Sequence, residues 1–210
     1  MSSSDNIQTR PKLILVLELN RSHHEMMRSH LLSLGENDRR LRFGMHATDL
    51  FINSYVDSFN FSRDCFFGVI DNSLTVIGLA HLSYGQELLG QPDTAEFGVS
   101  VSENGRGFGV GTALFKRSAI HARNTNISIL YVHCLSSNAA MMHIARKSGM
   151  EVEYSYGEAD AYLRLPPGNS QSIILEAMQD QSAIIDYSFK QSFKRTLLNN
   201  KLFLSGLLSH

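Results

Sequence analysis

The sequence predicts an α+β (mixed α/β) domain, one sheet covered by helices. Two observations predict it. Apolar runs of strand length alternate or are β-branched, and between them stand longer runs with apolar residues at helical spacing. Their order is strand, two helices, three strands, helix, strand, helix and two strands. An alternating doubly wound sheet would instead interleave every strand with a helix.

The elements follow in order. Lys12–Leu19 is apolar and branched and reads as a strand. Arg21–Leu34 carries Met26, Met27, His30, Leu31 and Leu34 on one helical face, and Gly35 is placed as its C-cap. Asp38–Phe43 reads as a charged connector. Thr48–Phe59 is a second helix with Leu50, Phe51, Tyr55, Val56 and Phe59 as its stripe. Cys65–Ile70 and Leu74–Ser83 read as a hairpin around Asp71-Asn72-Ser73, residue types that tolerate turn dihedrals. Gly85–Asp93 is a loop. Thr94–Val101 is a strand in which Ala95, Phe97, Val99 and Val101 alternate with Glu96, Gly98 and Ser100. A glycine-rich turn leads into a helix from Val110 to Arg123. Ile127–Cys134 is a strand, Asn138–Lys147 a helix stopped at Gly149, and Val152–Tyr156 and Ala159–Leu165 are the last strands. Pro166-Pro167-Gly168 closes the domain.

Composition narrows the function. In 210 residues, 19 lysines and arginines balance 20 aspartates and glutamates, so no basic face for nucleic acid is expected. Cys65 and Cys134 form no CxxC pair, which argues against a disulfide framework or zinc ribbon and fits a reducing cytoplasm. Met1–Pro11 is polar and Ser-rich and reads as a disordered leader. Leu13–Leu17 is too short for a signal sequence, and Leu202–Leu208 is broken by Ser205 and Gly206. No run approaches the ~18 apolar residues of a membrane span. The expectation is a cytoplasmic protein without nucleic-acid or membrane partners. His24-Glu25-Met26-Met27-Arg28 begins like HExxH but ends in arginine, and the nine histidines have no ligand spacing, so no metal is expected.

The most informative segment is Arg106-Gly107-Phe108-Gly109-Val110-Gly111-Thr112. A glycine-rich strand-to-helix turn leaves N–H groups free at the helix N-terminus and makes an anion site. A Walker A loop fails, because no lysine follows Gly111. A dinucleotide GxGxxG fails, because glycine would be needed at Val110 or at Thr112. The pattern that fits is R-x-x-G-x-G, with Arg106, Gly109 and Gly111. It directly follows the strand FGVSV. Farther on, Asn138-Ala139-Ala140-Met141 and Lys147-Ser148-Gly149-Met150 match an N-x-x-A…K-x-G-F pattern, with methionine for alanine at 141 and for phenylalanine at 150. Together these segments resemble the GNAT superfamily of acyl-CoA-dependent N-acyltransferases over roughly residues 12–165, best in 94–150.

The resemblance implies a GNAT-like central mixed, mostly antiparallel sheet flanked by helices, with an extra C-terminal helical tail. It divides the chain into a leader (1–11), an acetyltransferase domain (12–167) and a C-terminal helical extension (168–210). It implies acetyl-CoA as cosubstrate, held by Arg106, Gly107, Gly109, Gly111 and Thr112 at its pyrophosphate. The main chain of Val99 and Val101 would pair with the pantetheine arm like a strand, and Asn138 would hydrogen-bond that arm or the acceptor. Glu96 is the expected general base, against the alternative of a solvated or salt-bridged strand glutamate. Partial burial raises a carboxylate toward the range where a base works near neutrality. His81 and His133 are expected to be structural, with a role as base the alternative for each, and Cys134 lacks an oriented base for a nucleophile's role. The tyrosine that many members carry seven residues after the asparagine is Ala145 here, leaving His143, Cys134, Tyr131 or water to protonate the departing thiolate.

The implied activity is N-acetyl transfer to a primary amine, on a small molecule or a protein lysine or N-terminus, by direct attack in a ternary complex. The alternative is a non-catalytic acyl-CoA sensor on the same fold, and acyl groups other than acetyl stay open. Residues 21–60 and the 85–93 loop are expected to form the acceptor wall. Arg39-Arg40-Leu41-Arg42-Phe43 is read as a solvated connector or as a contact for an acidic acceptor or the CoA 3′-phosphate. In the tail, Ile174, Ala177, Met178, Ile184, Ile185 and Phe189 form an apolar stripe, for packing on the domain or for a homodimer.

Overall fold

The computed structural model describes residues 13–85 and 93–207, with side chains through 199. The leader, most of the 85–93 loop and the side chains of the Leu202–Leu208 cluster lie outside the described residues. Seven strands form one sheet in the order β1-β2-β3-β4-β5-β7-β6. They are β1 (Leu17–Leu19), β2 (Cys65–Ile70), β3 (Val76–Tyr84), β4 (Thr94–Val101), β5 (Ile129–Leu135), β6 (Glu151–Ser155) and β7 (Glu158–Arg164). Every neighbouring pair is antiparallel except β4 and β5. The helices are α1 (His24–Leu32), α2 (Glu36–Phe43), α3 (Asp49–Asp57), α4 (Val110–Asn124), α5 (Ala139–Lys147) and α6 (Ser170–Leu207).

Strand alternation divides the core between two faces. Phe67, Phe97, Leu114, Phe115, Leu130 and Met141 pack together under α4 and α5. Phe66, Leu79, Met27, Leu31, Ile52 and Val56 pack under α1 and α3 on the other face. His30 of α1 is buried between β-strands, donating from Nδ1 to Val76 O (2.8 Å) and accepting at Nε2 from Ser100 Oγ (2.9 Å). These bonds fix α1 over β3 and β4.

Three sequence expectations are corrected. Asp38–Phe43 is not a connector but most of α2, so three helices rather than two separate β1 from β2. Glu36 and Asp38 in its first turn and Arg40 and Arg42 in its last turn complement the helix dipole. Gly35 is the N-cap of α2, with extended dihedrals (φ −65°, ψ 162°), not a left-handed C-cap of α1. The first strand is only Leu17–Leu19, because just those residues pair with β2, while Val16 is buried and Ile14 and Leu15 are partly buried without a ladder.

The tail is one helix of 38 residues. Its inner face is more polar than the sequence suggests. The Arg117 guanidinium, 2% exposed, meets Glu176 (2.8 Å) and Asp180 (2.6 Å), and lies 4.6 Å from the Phe67 ring centre. His121 Nδ1 lies 2.6 Å from Glu176 Oε1, and Lys190 donates to Ile70 O. Ala183 and Tyr187 add apolar contact. Ile174, Met178, Ile185 and Phe189 are exposed on the outer side. Among the described residues no helix is long and apolar enough to cross a membrane.

This anchor titrates. Burial pushes the Glu176 carboxyl up, but His121, Asn124 and Arg117 outweigh it and hold it down at about 2. Burial pushes His121 down, but Cys65 and Glu176 outweigh it and raise it to about 9. Glu176 therefore stabilises the fold above its ordinary pKa of 4.5 and loses that effect as pH falls toward about 2. His121 stabilises it fully below 6.5 and loses that effect as pH rises through about 9. The urea midpoint of wild type should exceed that of Glu176→Gln most between pH 4.5 and 6.5, with the gap closing on both sides. A gap independent of pH would contradict this anchor.

Candidate functional site

The parallel pairing of β4 with β5 is short. It runs from Thr94↔Ile129 to Glu96↔Tyr131 and stops, while β4 continues to Val101 and β5 to Leu135. From Phe97 onward the edge of β4 that faces β5 has no strand partner among the described residues. Unpaired main-chain groups at such an edge are suited to an extended ligand with amide groups. Two cavities occupy this gap, of about 540 Å³ and about 280 Å³, and they share Leu41, Arg42, Val99, Asn138 and Met141.

The larger cavity ends at the glycine turn. Gly107 (φ 77°) and Gly109 (φ 82°) both adopt left-handed dihedrals, which a Cβ would strain. Among the described residues nothing lies within 4 Å of a Cβ placed on Gly107, and on Gly109 only Ile14 does, at 3.7 Å. Backbone conformation, rather than crowding, therefore calls for glycine at both positions. Gly109 is the N-cap of α4 and supplies no side chain to its first turn. The N–H groups of that turn have no partner four residues back, so they and the helix dipole favour an anion. Arg106 adds a guanidinium, half exposed and paired with Asp38 of α2.

The smaller cavity holds Glu96, His133, Cys134 and Glu158. Glu96, Gly98 and Ser100 share the face of β4 turned toward α1–α3, since Phe97 on the other face packs on Phe115 of α4 (5.2 Å between ring centres). His133 Nδ1 is 2.8 Å from Asp160 Oδ1, and this bond raises the imidazole pKa. Tyr131 donates to the same carboxylate at 2.5 Å. His133 is thus held at Nδ1 by Asp160, and its Nε2 lies 3.7 Å from Glu158 Oε1. Burial pushes the Cys134 thiol up to about 11, which makes it a poor nucleophile. His81 is pushed down to about 4, by burial first and by the charge of Arg42 second.

The structure brings Val99, Val101, Arg106, Gly107, Gly109, Gly111, Thr112 and Asn138 to the larger cavity and places Glu96 at the smaller one. The Asn138 side chain is already engaged. Its Oδ1 accepts from Met141 N (3.0 Å) as the N-cap of α5, and its Nδ2 donates to Leu41 O (3.3 Å). It ties α2 to the end of β5 across the gap. Ala145 is fully buried, so no side chain reaches the cavity from that position. Of the stand-ins, His143 lines the larger cavity and Cys134 the smaller. Sequence reasoning missed Asp38 as a lining residue, and offered Leu41 and Arg42 only within a charged connector or ligand contact, not on a helix. The signal was the acidic-to-basic order across residues 36–42 between Gly35 and Gly44, which marks a helix. Among the described residues no group of three His, Cys, Asp or Glu side chains could hold a metal ion.

Comparison with known proteins agrees with this geometry. Residues 31–150 match the model of the acetyltransferase (GNAT) family. No curated protein sequence matches the chain significantly. Among solved structures, it resembles the GNAT domain of S. lividans PAT, with TM-score 0.60 and 19% identity over 71% of this chain and 89% of that one. It also resembles spermidine N-acetyltransferase from Vibrio cholerae in complex with CoA and spermine, with TM-score 0.55 and 17% identity over 72% and 95%. Ribosomal-protein-alanine N-acetyltransferase from Brucella melitensis gives TM-score 0.55 and 16% identity over 71% and 97%. At these identities the structural matches speak for the fold, and the family match, which spans more than half of the sequence, decides membership: the chain belongs to the acetyltransferase (GNAT) family.

Proposed function

We propose that this chain is a cytoplasmic N-acetyltransferase that moves the acetyl group of acetyl-CoA to a primary amine by direct attack in a ternary complex. The observation that carries the reading is the gap between β4 and β5, with the glycine turn at one end and Glu96 at the other. Arg106, Gly107, Gly109, Gly111 and Thr112 hold the pyrophosphate, and Arg106 exchanges its contact with Asp38 for a phosphate oxygen. The free edge of β4 at Val99 and Val101 pairs with the pantetheine amides, and a main-chain N–H near Val99 faces the thioester oxygen. The Vibrio cholerae neighbour, which holds CoA on the same fold, supports this placement.

Glu96 accepts the proton that the acceptor ammonium must lose before attack, directly or through water, since a free alkylamine has a pKa of about 10.4. The amine nitrogen bonds to the thioester carbon and gives up its second proton to water, the carbon–sulfur bond breaks, and CoA departs as thiolate. His143, in the larger cavity, or water returns a proton to that sulfur. The products are the N-acetyl amide and CoA. A panel of amines scored by release of CoA thiol tests the reading, and acetyl-CoA binding without turnover on any acceptor would favour a sensor instead.

The outer stripe of α6, Ile174, Met178, Ile185 and Phe189, is assigned in this reading to contact with a second copy of the chain. Sedimentation should give a dimer for wild type and a monomer for Ile185→Glu/Phe189→Glu. A monomeric wild type at all concentrations would remove that assignment.

A further inference from the structure

Arg42 lies where the two cavities meet, and among the described residues its charge has no carboxylate partner. Other arginines of the chain reach carboxylates, as Arg39 does Asp49, Arg106 does Asp38 and Arg117 does Glu176 and Asp180. Among the described residues no carboxylate comes within 4.0 Å of the Arg42 guanidinium. The charged group is nonetheless held in one place. A Cβ on Gly98 would meet Arg42 Nη2 at 2.5 Å, Cζ at 2.6 Å and Nη1 at 2.7 Å. The missing side chain at 98 is the seat on which the guanidinium lies against β4.

The rest of the seat is built from neutral groups. Arg42 Nη2 donates to Tyr55 Oη (2.9 Å), and the Tyr55 hydroxyl donates to His81 Nδ1 (2.7 Å). His81 Nε2 in turn faces Asp64 Oδ2 at 3.4 Å. This order fixes the direction of every proton in the chain of contacts. The Phe43 and Tyr55 rings lie 5.1 and 5.7 Å from Arg42 Cζ. A guanidinium has five N–H groups, and a single one is used here among the described residues. A half-buried cation so oriented, with free donors and no counter-ion, is suited to a planar anion that arrives with the ligand.

The smaller cavity is therefore bipolar. Arg42 lines it where its guanidinium lies against Gly98, and Glu96 and Glu158 line it too. Gly98 and Glu96 are two residues apart on one face of β4, about 7 Å along the strand. We propose that Arg42 grips a carboxylate carried by the acceptor, so that the amines acetylated at this site are amino carboxylates. The amine then lies toward Glu96 and the carboxylate toward Arg42. A polyamine would set a second positive charge against Arg42, a like-charge contact that disfavours it.

This inference rests on the acyl-transfer reading and is tested apart from it. The probes are α-amino acids and the ω-amino acids from β-alanine to 6-aminohexanoate, each paired with its methyl ester. Rates of CoA release are compared for wild type, Arg42→Gln and Arg42→Lys, all checked for native circular dichroism. Wild type is expected to favour at least one acid over its ester by about 30-fold in kcat/KM, the size of a charge-assisted hydrogen bond. Arg42→Gln should bring that ratio below about threefold, chiefly through KM, and Arg42→Lys should restore part of it, because the charge remains but the fork is lost. Calorimetry of the preferred acid against CoA-loaded protein should show the same loss in Arg42→Gln. A wild type that prefers esters or spermidine, or an Arg42→Gln variant that keeps the acid preference, overturns the assignment while leaving acyl transfer standing. Acetyl-CoA binding without turnover of any acid also overturns it, and failure to bind acetyl-CoA takes down both.

Discussion

Gly109→Trp is expected to weaken acetyl-CoA binding by about a hundredfold or more. Two effects combine. The left-handed dihedral at 109 (φ 82°) is strained for any residue with a Cβ, which disturbs the N-cap of α4. The indole would also fill the space in front of the first-turn N–H groups, where the phosphates are placed. Each lost charge-assisted hydrogen bond is worth about 1.5–3 kcal/mol, so losing two accounts for the factor. Gly109→Ala separates the effects, since it brings the dihedral strain with little bulk. Its affinity should fall between wild type and Gly109→Trp. Equal affinities for wild type and Gly109→Trp, in folded protein, would remove the turn from the site.

Glu96→Gln is expected to lower kcat by about 10²–10⁴, the range of general base catalysis, with acetyl-CoA affinity little changed. Glutamine keeps the size of the side chain and takes away its proton acceptor. Rescue separates a base from a merely structural group: Glu96→Asp, which keeps a carboxylate, should restore part of kcat, whereas Glu96→Gln should not. His133 is the rival, because it lines the same cavity and its Nδ1 is held by Asp160 (2.8 Å). If His133→Gln costs more than Glu96→Gln in kcat, the base has been misassigned.

Much of the site is legible in the sequence because it is built locally. β4, the glycine turn and the start of α4 are continuous in the chain, so Glu96, Val99, Val101 and Arg106 through Thr112 can be placed by strand alternation and glycine spacing. The bounds of β2 and β4 agree with the alternation pattern for the same reason. Contacts between distant segments are less legible. Arg42 and Gly98 meet across the fold, and the glycine signals only that something approaches closely. Asn138 offers the correct residue type, but its hydrogen bonds to Met141 N and Leu41 O are visible only in three dimensions. In α6 the apolar stripe suggests an inner face, whereas Arg117 and His121 on α4 draw the acidic face inward instead. A charged residue near-fully buried on one helix reverses which side of the next helix packs, and periodicity on that second helix alone carries no trace of it.

The measurement that bears most directly on the central claim is calorimetric titration of acetyl-CoA into the wild-type protein. One site per chain is expected, competed by free CoA and weakened by about a hundredfold or more in Gly109→Trp. No heat with acetyl-CoA, CoA or longer acyl-CoAs, from protein with intact circular dichroism, would mean that the gap between β4 and β5 is not a CoA site.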